Sequence, residues 1–132
     1  MTNLNEIAGC VLLRNNEILL VKEKEQDYWK ISSGRIEKNE LAYNAAIRET
    51  KEETGLIVKL KEVLGVFDYN FKNRDFRLFI YLGNIVNGGL SPRDDENETI
   101  NEVAWKSVEY LKNSIPSNRI IYDALMKKNF LK

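Results

Sequence analysis

Between Glu40 and Thr54 the sequence puts three carboxylates on the side of a helix where carboxylates do not ordinarily lie. The run has helical spacing, and Gly55 follows it where a left-handed residue closes a helix. At about 100° per residue, Glu53 lies roughly 40° from Glu49 and Glu52 roughly 60° to its other side, so the three share one face. Ala42, Ala45 and Ala46 fall in the same sector, while Asn44 and Lys51 fall nearly opposite. The acids therefore extend the small-residue stripe that packs inward. Like charges this close repel, and partial burial makes the repulsion worse. Two resolutions stand side by side at this point. The stripe is a solvated acidic face, the ordinary fate of a charge run, or it is neutralised by a divalent cation that prefers oxygen ligands, Mg²⁺ or Mn²⁺.

Composition narrows what else could do chemistry. The 132 residues include no histidine and one cysteine, Cys10. That removes Ser-His-Asp and Cys-His triads, an imidazole base, histidine-ligated or four-thiolate zinc, and an internal disulfide. Acid–base work is left to carboxylates, lysine or tyrosine. Lys plus Arg and Asp plus Glu number 20 each, a net charge of zero. This argues against bulk capture of nucleic acid or an anionic membrane, and leaves room for a phosphate ligand at one site. The apolar stretch from Leu78 to Leu82 is far too short to span a bilayer, and Met1 to Glu6 lacks a signal-peptide pattern. One domain over residues 1–132, in the cytoplasm, is the expectation from length and cysteine usage.

Along the chain, Glu6 to Leu13 and Glu17 to Lys22 read as strands about a turn at Asn15 and Asn16. The first is apolar enough to be buried on both faces. Trp29 to Ile31 reads as a short extended piece and Ser32-Ser33-Gly34 as a turn. Leu56 to Phe71 and Phe76 to Ile85 read as strands joined by a polar turn at Lys72 to Asp75. A polar, acidic loop runs from Asn87 to Asn101. Beyond it come a short strand at Val103 to Trp105, a short capped helix at Ser107 to Leu111 and a terminal helix at Asn118 to Lys128. Strands and helices without a regular βαβ period predict an α/β (α+β) fold, a mixed sheet flanked by helices.

The spacing within the helical segment is more specific than its face. Gly34 is followed after five residues by Glu40, and after seven more by Arg48-Glu49-Thr50-Lys51-Glu52-Glu53-Thr54-Gly55-Leu56. This resembles the Nudix box, G-x5-E-x7-R-E-U-x-E-E-x-G-U with U a bulky aliphatic, and every fixed letter matches. Two departures stand out: Thr50 occupies an aliphatic position, and Ser32-Ser33 replaces the usual Pro-Gly before Gly34. The resemblance covers residues 34–56. It implies an α/β/α sandwich and a Mg²⁺-dependent hydrolase, with Mn²⁺ as a substitute, that splits a diphosphate linkage in a nucleoside diphosphate derivative. By position it implies Glu52 and Glu53 as metal ligands and Glu49 as a ligand or the water-activating base. Arg48 would orient Glu49, the Ser33 carbonyl would be a further ligand, and Gly34, Glu40 and Gly55 would support the motif.

Family members often take a further carboxylate from outside the box. Glu98 is the first choice for it here, with Glu96 and Glu102 behind, and the acidic loop is equally read as solvated surface. Arg35 and Lys22 are candidate phosphate contacts; exposed cations are the simpler account. Phe71, with Tyr69 as its rival, could stack on a base or simply pack. Asn118 resembles the base-reading Asn of members that sanitise oxidised nucleotides, and is also a good helix N-cap. The expected partner is a small nucleotide, with a modified nucleoside triphosphate leading. ADP-ribose, a dinucleoside polyphosphate and a non-catalytic nucleotide-sensing domain are the alternatives. Dimers are common in the family, and nothing in the sequence identifies an interface.

Overall fold

The computed structural model describes residues 3–90 and 100–131. Strand β1 (Leu4–Val11) runs through the middle of a four-stranded mixed sheet. It is antiparallel to β4 (Ser32–Arg35) on one side and parallel to β6 (Arg74–Asn87) on the other, with β5 (Ile57–Phe71) at the far edge. A second, antiparallel sheet takes β2 (Leu13–Arg14), β3 (Glu17–Glu23) and β7 (Ile100–Ser107) in that order. The helices are α1 (Ala42–Thr54) and α2 (Pro116–Lys127), and a 3₁₀ turn at Val108–Asn113 is capped by the Ser107 hydroxyl. The strands thus form two sheets where the sequence suggested one. Among the described residues no helix is long and apolar enough to cross a membrane.

Alternation along the strands divides the core in two. Ala8, Cys10, Leu12 and Leu19 face one way and pack with Ala45 and Ala46 of α1. Val11, Ile18 and Leu20 face the other way, onto Leu111, Ile121 and Leu125 of the 3₁₀ turn and α2. Side chains of a strand alternate between faces, so an apolar run such as that of β1 serves both halves, as a strand covered on both sides must. Strand β5 changes sides along its length. Val58 and Leu60 belong to the α1 half and Leu64 to the α2 half, with the register shifting between Leu60 and Glu62 and again between Val63 and Gly65. The first inserted residue inverts the pleat and puts Leu64 on the other side from Leu60, and the second inverts it again. The β5–β6 hairpin turns at Lys72 and Asn73, both with positive φ (52° and 64°), which suits a tight two-residue hairpin.

Ser32-Ser33-Gly34 is not a turn but the body of β4, with Ser33 paired opposite Gly9 of β1. Serine and glycine favour turns through local contacts. Here they serve instead as small residues that let two backbones approach. A Cβ at Gly9 would come within 2.8 Å of the Ser32 carbonyl oxygen and 2.9 Å of Ser33 Cβ.

Helix α1 starts at Ala42, two residues later than the pattern suggested, and ends as expected. Gly55 has φ 84° and its N–H donates to the Lys51 carbonyl. Gly55→Ala forces a Cβ into that left-handed position, and should lower unfolding free energy in urea by about 1 kcal/mol with an unchanged m-value.

Candidate active site

The carboxylate face of α1 is organised by one guanidinium. Arg48 Nε and Nη2 donate to the two oxygens of Glu40 at 2.8 and 2.9 Å, a bidentate pair. Its Nη1 donates to Glu49 Oε1 at 2.7 Å and to Glu52 Oε2 at 3.3 Å. Its Nη2 also reaches the Arg35 carbonyl at 3.0 Å, tying the helix to β4. These bonds and the Glu37 N–H hold the Glu40 carboxyl down to about 2. Arg48 is correspondingly held protonated.

Glu53 lies outside this network. It is buried, and Oε1 accepts a hydrogen bond from the Ser33 N–H at 3.0 Å. Burial pushes its carboxyl up to about 8, opposed by the Lys30 ammonium and reinforced by the negative charge of Glu49. Gly34 sits directly against Glu49: a Cβ there would fall onto the Glu49 carboxylate. Glycine at this position leaves the Glu49 carboxylate where it lies; a side chain would make it shift. Thr50 is buried in place of an aliphatic residue, and its hydroxyl donates to the Ala46 carbonyl at 2.8 Å, so its polarity is satisfied within the helix. Burial pushes the neighbouring Cys10 thiol up to about 12, which leaves it neutral and inert.

Beside Ser33 opens a cavity of about 200 Å³, walled by Tyr28, Lys30, Tyr69, Phe71, Phe76 and Ser117 among others. The Tyr28 and Phe71 rings meet edge to face at 5.9 Å, with Lys72 Nζ above both. Gln26, in its wall, has a buried Oε1 with no hydrogen-bond partner among the described residues. Buried polar atoms are costly unless something pairs with them.

The structure brings Glu40, Arg48, Glu49, Glu52, Glu53, Ser33 and Gly34 together, and puts Phe71 and Tyr69 in the cavity wall. Arg35 is exposed at the end of the sheet, where its Nη2 donates to Asn5 Oδ1 at 3.0 Å. Lys22 lies on β3 opposite Glu102 and is not among the cavity-lining residues. Glu98 and Glu96 lie outside the described residues. Asn118 is no N-cap, since Pro116 starts α2 and Ile115 holds the cap position. It is fully buried, and its Nδ2 donates to the Trp29 carbonyl at 2.7 Å and the Ser114 hydroxyl at 2.9 Å. The Pro-start signal was the stronger one for this helix. Tyr28, Lys30 and Arg74, which reach the cavity, carry no motif; Lys30's backbone bridge to Val21 is a tertiary contact that no local pattern announces.

A family model for the NUDIX domain matches residues 4–125. The chain belongs to the NUDIX family. Among NUDIX relatives, a Bacillus subtilis protein named "Uncharacterized Nudix hydrolase YvcI" is 26% identical over 134 residues, covering 96% of this chain and 82% of that one. A Methanocaldococcus jannaschii ADP-ribose pyrophosphatase is 35% identical over 95 residues, covering 67% of this chain and 55% of that protein's own length. Among solved structures, a NUDIX hydrolase from Nitrosomonas europaea superposes with a TM-score of 0.80 at 19% identity, over 98% of this chain and 97% of that one. NUDIX hydrolases generally use divalent metal ions. The donor set of this chain fits such an ion chemically: the face offers only oxygens, and Glu53 is desolvated and repelled by Glu49. Among the described residues no three His, Cys, Asp or Glu side chains already converge as a ligand cluster. Instead, Arg48 pairs with Glu49 and Glu52 while Glu53 turns to Ser33.

Two outcomes follow from this arrangement. Gly34→Ala should displace the Glu49 carboxylate, and hydrolysis of any substrate the enzyme accepts should fall more than its thermal stability does. For metal-free protein, the folded Glu53 carboxyl titrates at about 8 against an ordinary value of 4.5. Its protonated form therefore favours the folded state at low pH, and that advantage is lost as pH rises from 4.5 through about 8. Melting temperature in chelator should decline across that window, Mg²⁺ should restore it at the alkaline end, and Glu53→Gln should flatten the decline.

Proposed function

We propose that this chain is a Mg²⁺-dependent nucleotide pyrophosphohydrolase that cleaves a diphosphate linkage, with a modified nucleoside triphosphate as its leading substrate. One observation carries the reading: a buried carboxylate, Glu53, shares a helix face with Glu49 and Glu52 beside a cavity of aromatic and cationic side chains. A solvated acidic face would have no reason to bury Glu53. The oxygens of Glu49, Glu52 and Glu53, with the Ser33 carbonyl, would hold the metal. When bound, the ion supplies charge neutralisation of the diphosphate and a lowered pKa for the attacking water.

The remaining work belongs to the protein. Arg48 holds Glu49 at 2.7 Å and, through Glu40, is itself fixed, so the carboxylate face is oriented before substrate arrives. Glu49, or Glu98 from outside the box, takes the proton of the attacking water. Gly34 leaves space for the Glu49 carboxylate. The aromatic wall at Tyr28 and Phe71 offers a flat apolar surface for a base, and Lys30 a positive charge near the diphosphate. The likeness to an ADP-ribose pyrophosphatase favours ADP-ribose as a second substrate reading.

Purified protein should hydrolyse at least one member of a panel of natural and oxidised nucleoside triphosphates, ADP-ribose and dinucleoside polyphosphates, and chelator should stop it. Glu53→Gln should lower kcat by a factor on the order of 10² or more while the circular dichroism spectrum stays that of the wild type. A Glu53→Gln enzyme with near-normal rate and unaltered metal dependence would overturn the site, and binding without cleavage across the panel would make the chain a nucleotide sensor.

A further inference from the structure

Away from the carboxylate helix, two arginines converge on one neutral atom. Asn5 Oδ1 accepts from Arg35 Nη2 at 3.0 Å and from Arg74 Nη2 at 3.3 Å, while Asn5 Nδ2 donates to the Asp75 carbonyl. Among the described residues neither guanidinium is paired with a carboxylate. The side chain of Asp75, the acid at this place, instead accepts from Asn70 Nδ2 at 3.1 Å. Two cations held this close with one amide oxygen between them repel each other, and an anion relieves that. They border an open depression of about 600 Å³, shared with Asn3, Asn73 and Asp75.

Sheet register puts this cluster on the cavity side. Arg35 pairs opposite Ile7, Ile7 opposite Leu78, and Asn5 opposite Phe76. Ile7, Phe76, Leu78 and Arg74 all line the cavity. Residues two apart on a strand share a face, so Asn5 and Arg35 continue the cavity floor outward, and Arg74 belongs to both hollows. Arg35 lies two residues, about 7 Å, along β4 from Ser33. The described side chains lining the cavity include Lys30, Lys72 and Arg74 and no Asp or Glu. Lys30 is paired with Glu23 at 3.2 Å, so the positive charge outward from Ser33 is carried by Lys72, Arg74 and Arg35, with Asp75 on the rim.

We infer that Arg35, Arg74 and Asn5 form a second anion site, which binds a phosphoryl group of the substrate remote from the diphosphate that is cut. Within modified nucleotides, the substrate class is then one that carries a further phosphoryl group on its sugar or far terminus, besides the diphosphate at the carboxylate helix. The remoteness of the group rests on the proposed catalytic role of α1; the anion site itself does not.

The test is made in chelator, so that it does not depend on metal or turnover. Adenosine 3′,5′-bisphosphate, adenosine 2′,5′-bisphosphate, adenosine 5′-monophosphate and inorganic phosphate are titrated calorimetrically into wild type, Arg35→Gln and Arg74→Gln, each checked for an unchanged melting curve. The expected result is that one bisphosphate binds wild type at least tenfold more tightly than the monophosphate, and that either substitution removes the difference. Equal affinity of wild type for mono- and bisphosphates, or a preference that survives both substitutions, would overturn the site. Inorganic phosphate binding as tightly as the better bisphosphate would make it a site for free phosphate and overturn the substrate assignment. An inactive enzyme that still shows the arginine-dependent preference would sink the hydrolase reading and leave the anion site standing.

Discussion

A helix that turns carboxylates toward its own protein has three of them organised by a single guanidinium. Arg48 bonds to Glu40, Glu49, Glu52 and the Arg35 carbonyl, so one side chain joins the loop before α1, the face of α1 and strand β4. Arginine suits this because its donors lie in a rigid fork and its charge does not titrate away. A lysine in its place would offer one point charge with no bidentate grip on Glu40. Glu53, left out of the network, gains no such partner and keeps the proton that burial favours. The division is chemical: Glu40, Glu49 and Glu52 are hydrogen-bonded to an arginine, and Glu53 is buried apart from it.

That arrangement needs a platform, and the two-sided core supplies it. Ala45 and Ala46 seat α1 close on Ala8 and Cys10, while Val11 on the opposite face anchors β1 to the α2 half. Because β1 is clamped from both sides, its neighbour β4 is set against the helix. The Ser33 N–H then reaches Glu53, and Gly34 abuts Glu49. Small residues at Gly9, Ser33 and Gly34 let three backbones approach. A larger residue at Gly34 would fall on the Glu49 carboxylate, whereas one at Gly9 would meet Ile31, the Ser32 carbonyl and Ser33 on the other face of the sheet.

Most of this frame was legible from spacing alone. The box helix, its Gly55 cap, the Asn15–Asn16 turn, the β5–β6 hairpin and the buried second half of β1, Ala8 to Val11, all follow local rules, and local rules hold where tertiary contacts agree with them. The misreadings came where they do not. Ser32-Ser33-Gly34 has turn-forming residues, yet pairing with β1 governs. Asn118 has capping chemistry, yet Pro116 starts the helix and the amide is drawn inward to the Trp29 carbonyl. The cavity residues Tyr28 and Lys30 follow a charged loop with no periodicity, and only the fold brings them beside Ser33. The carboxylates were legible because a helix displays its spacing in sequence; the cavity was not, because it is assembled from β1, the loop before β4, the β5–β6 hairpin and the start of α2.

A net charge of zero hides how the charges are sorted. Glu40, Glu49, Glu52 and Glu53 gather on α1, while Lys30, Lys72, Arg74 and Arg35 gather around the cavity and its outer rim. Ser33 stands at the join, its N–H bonded to Glu53 and its residue part of the cavity wall. A ligand with separated negative groups would find a cation of the protein at one end and a carboxylate face needing a metal at the other. The metal would thus act as a charge adaptor, turning the acidic end into an anion acceptor. Orientation of a doubly anionic substrate would then come from the different distances and strengths of the two contacts. An apolar base against Tyr28 and Phe71 would fix its rotation between them. Sorting charge in this way costs nothing in overall solubility balance, since the two clusters offset each other, and it confines the attraction to one track across the surface.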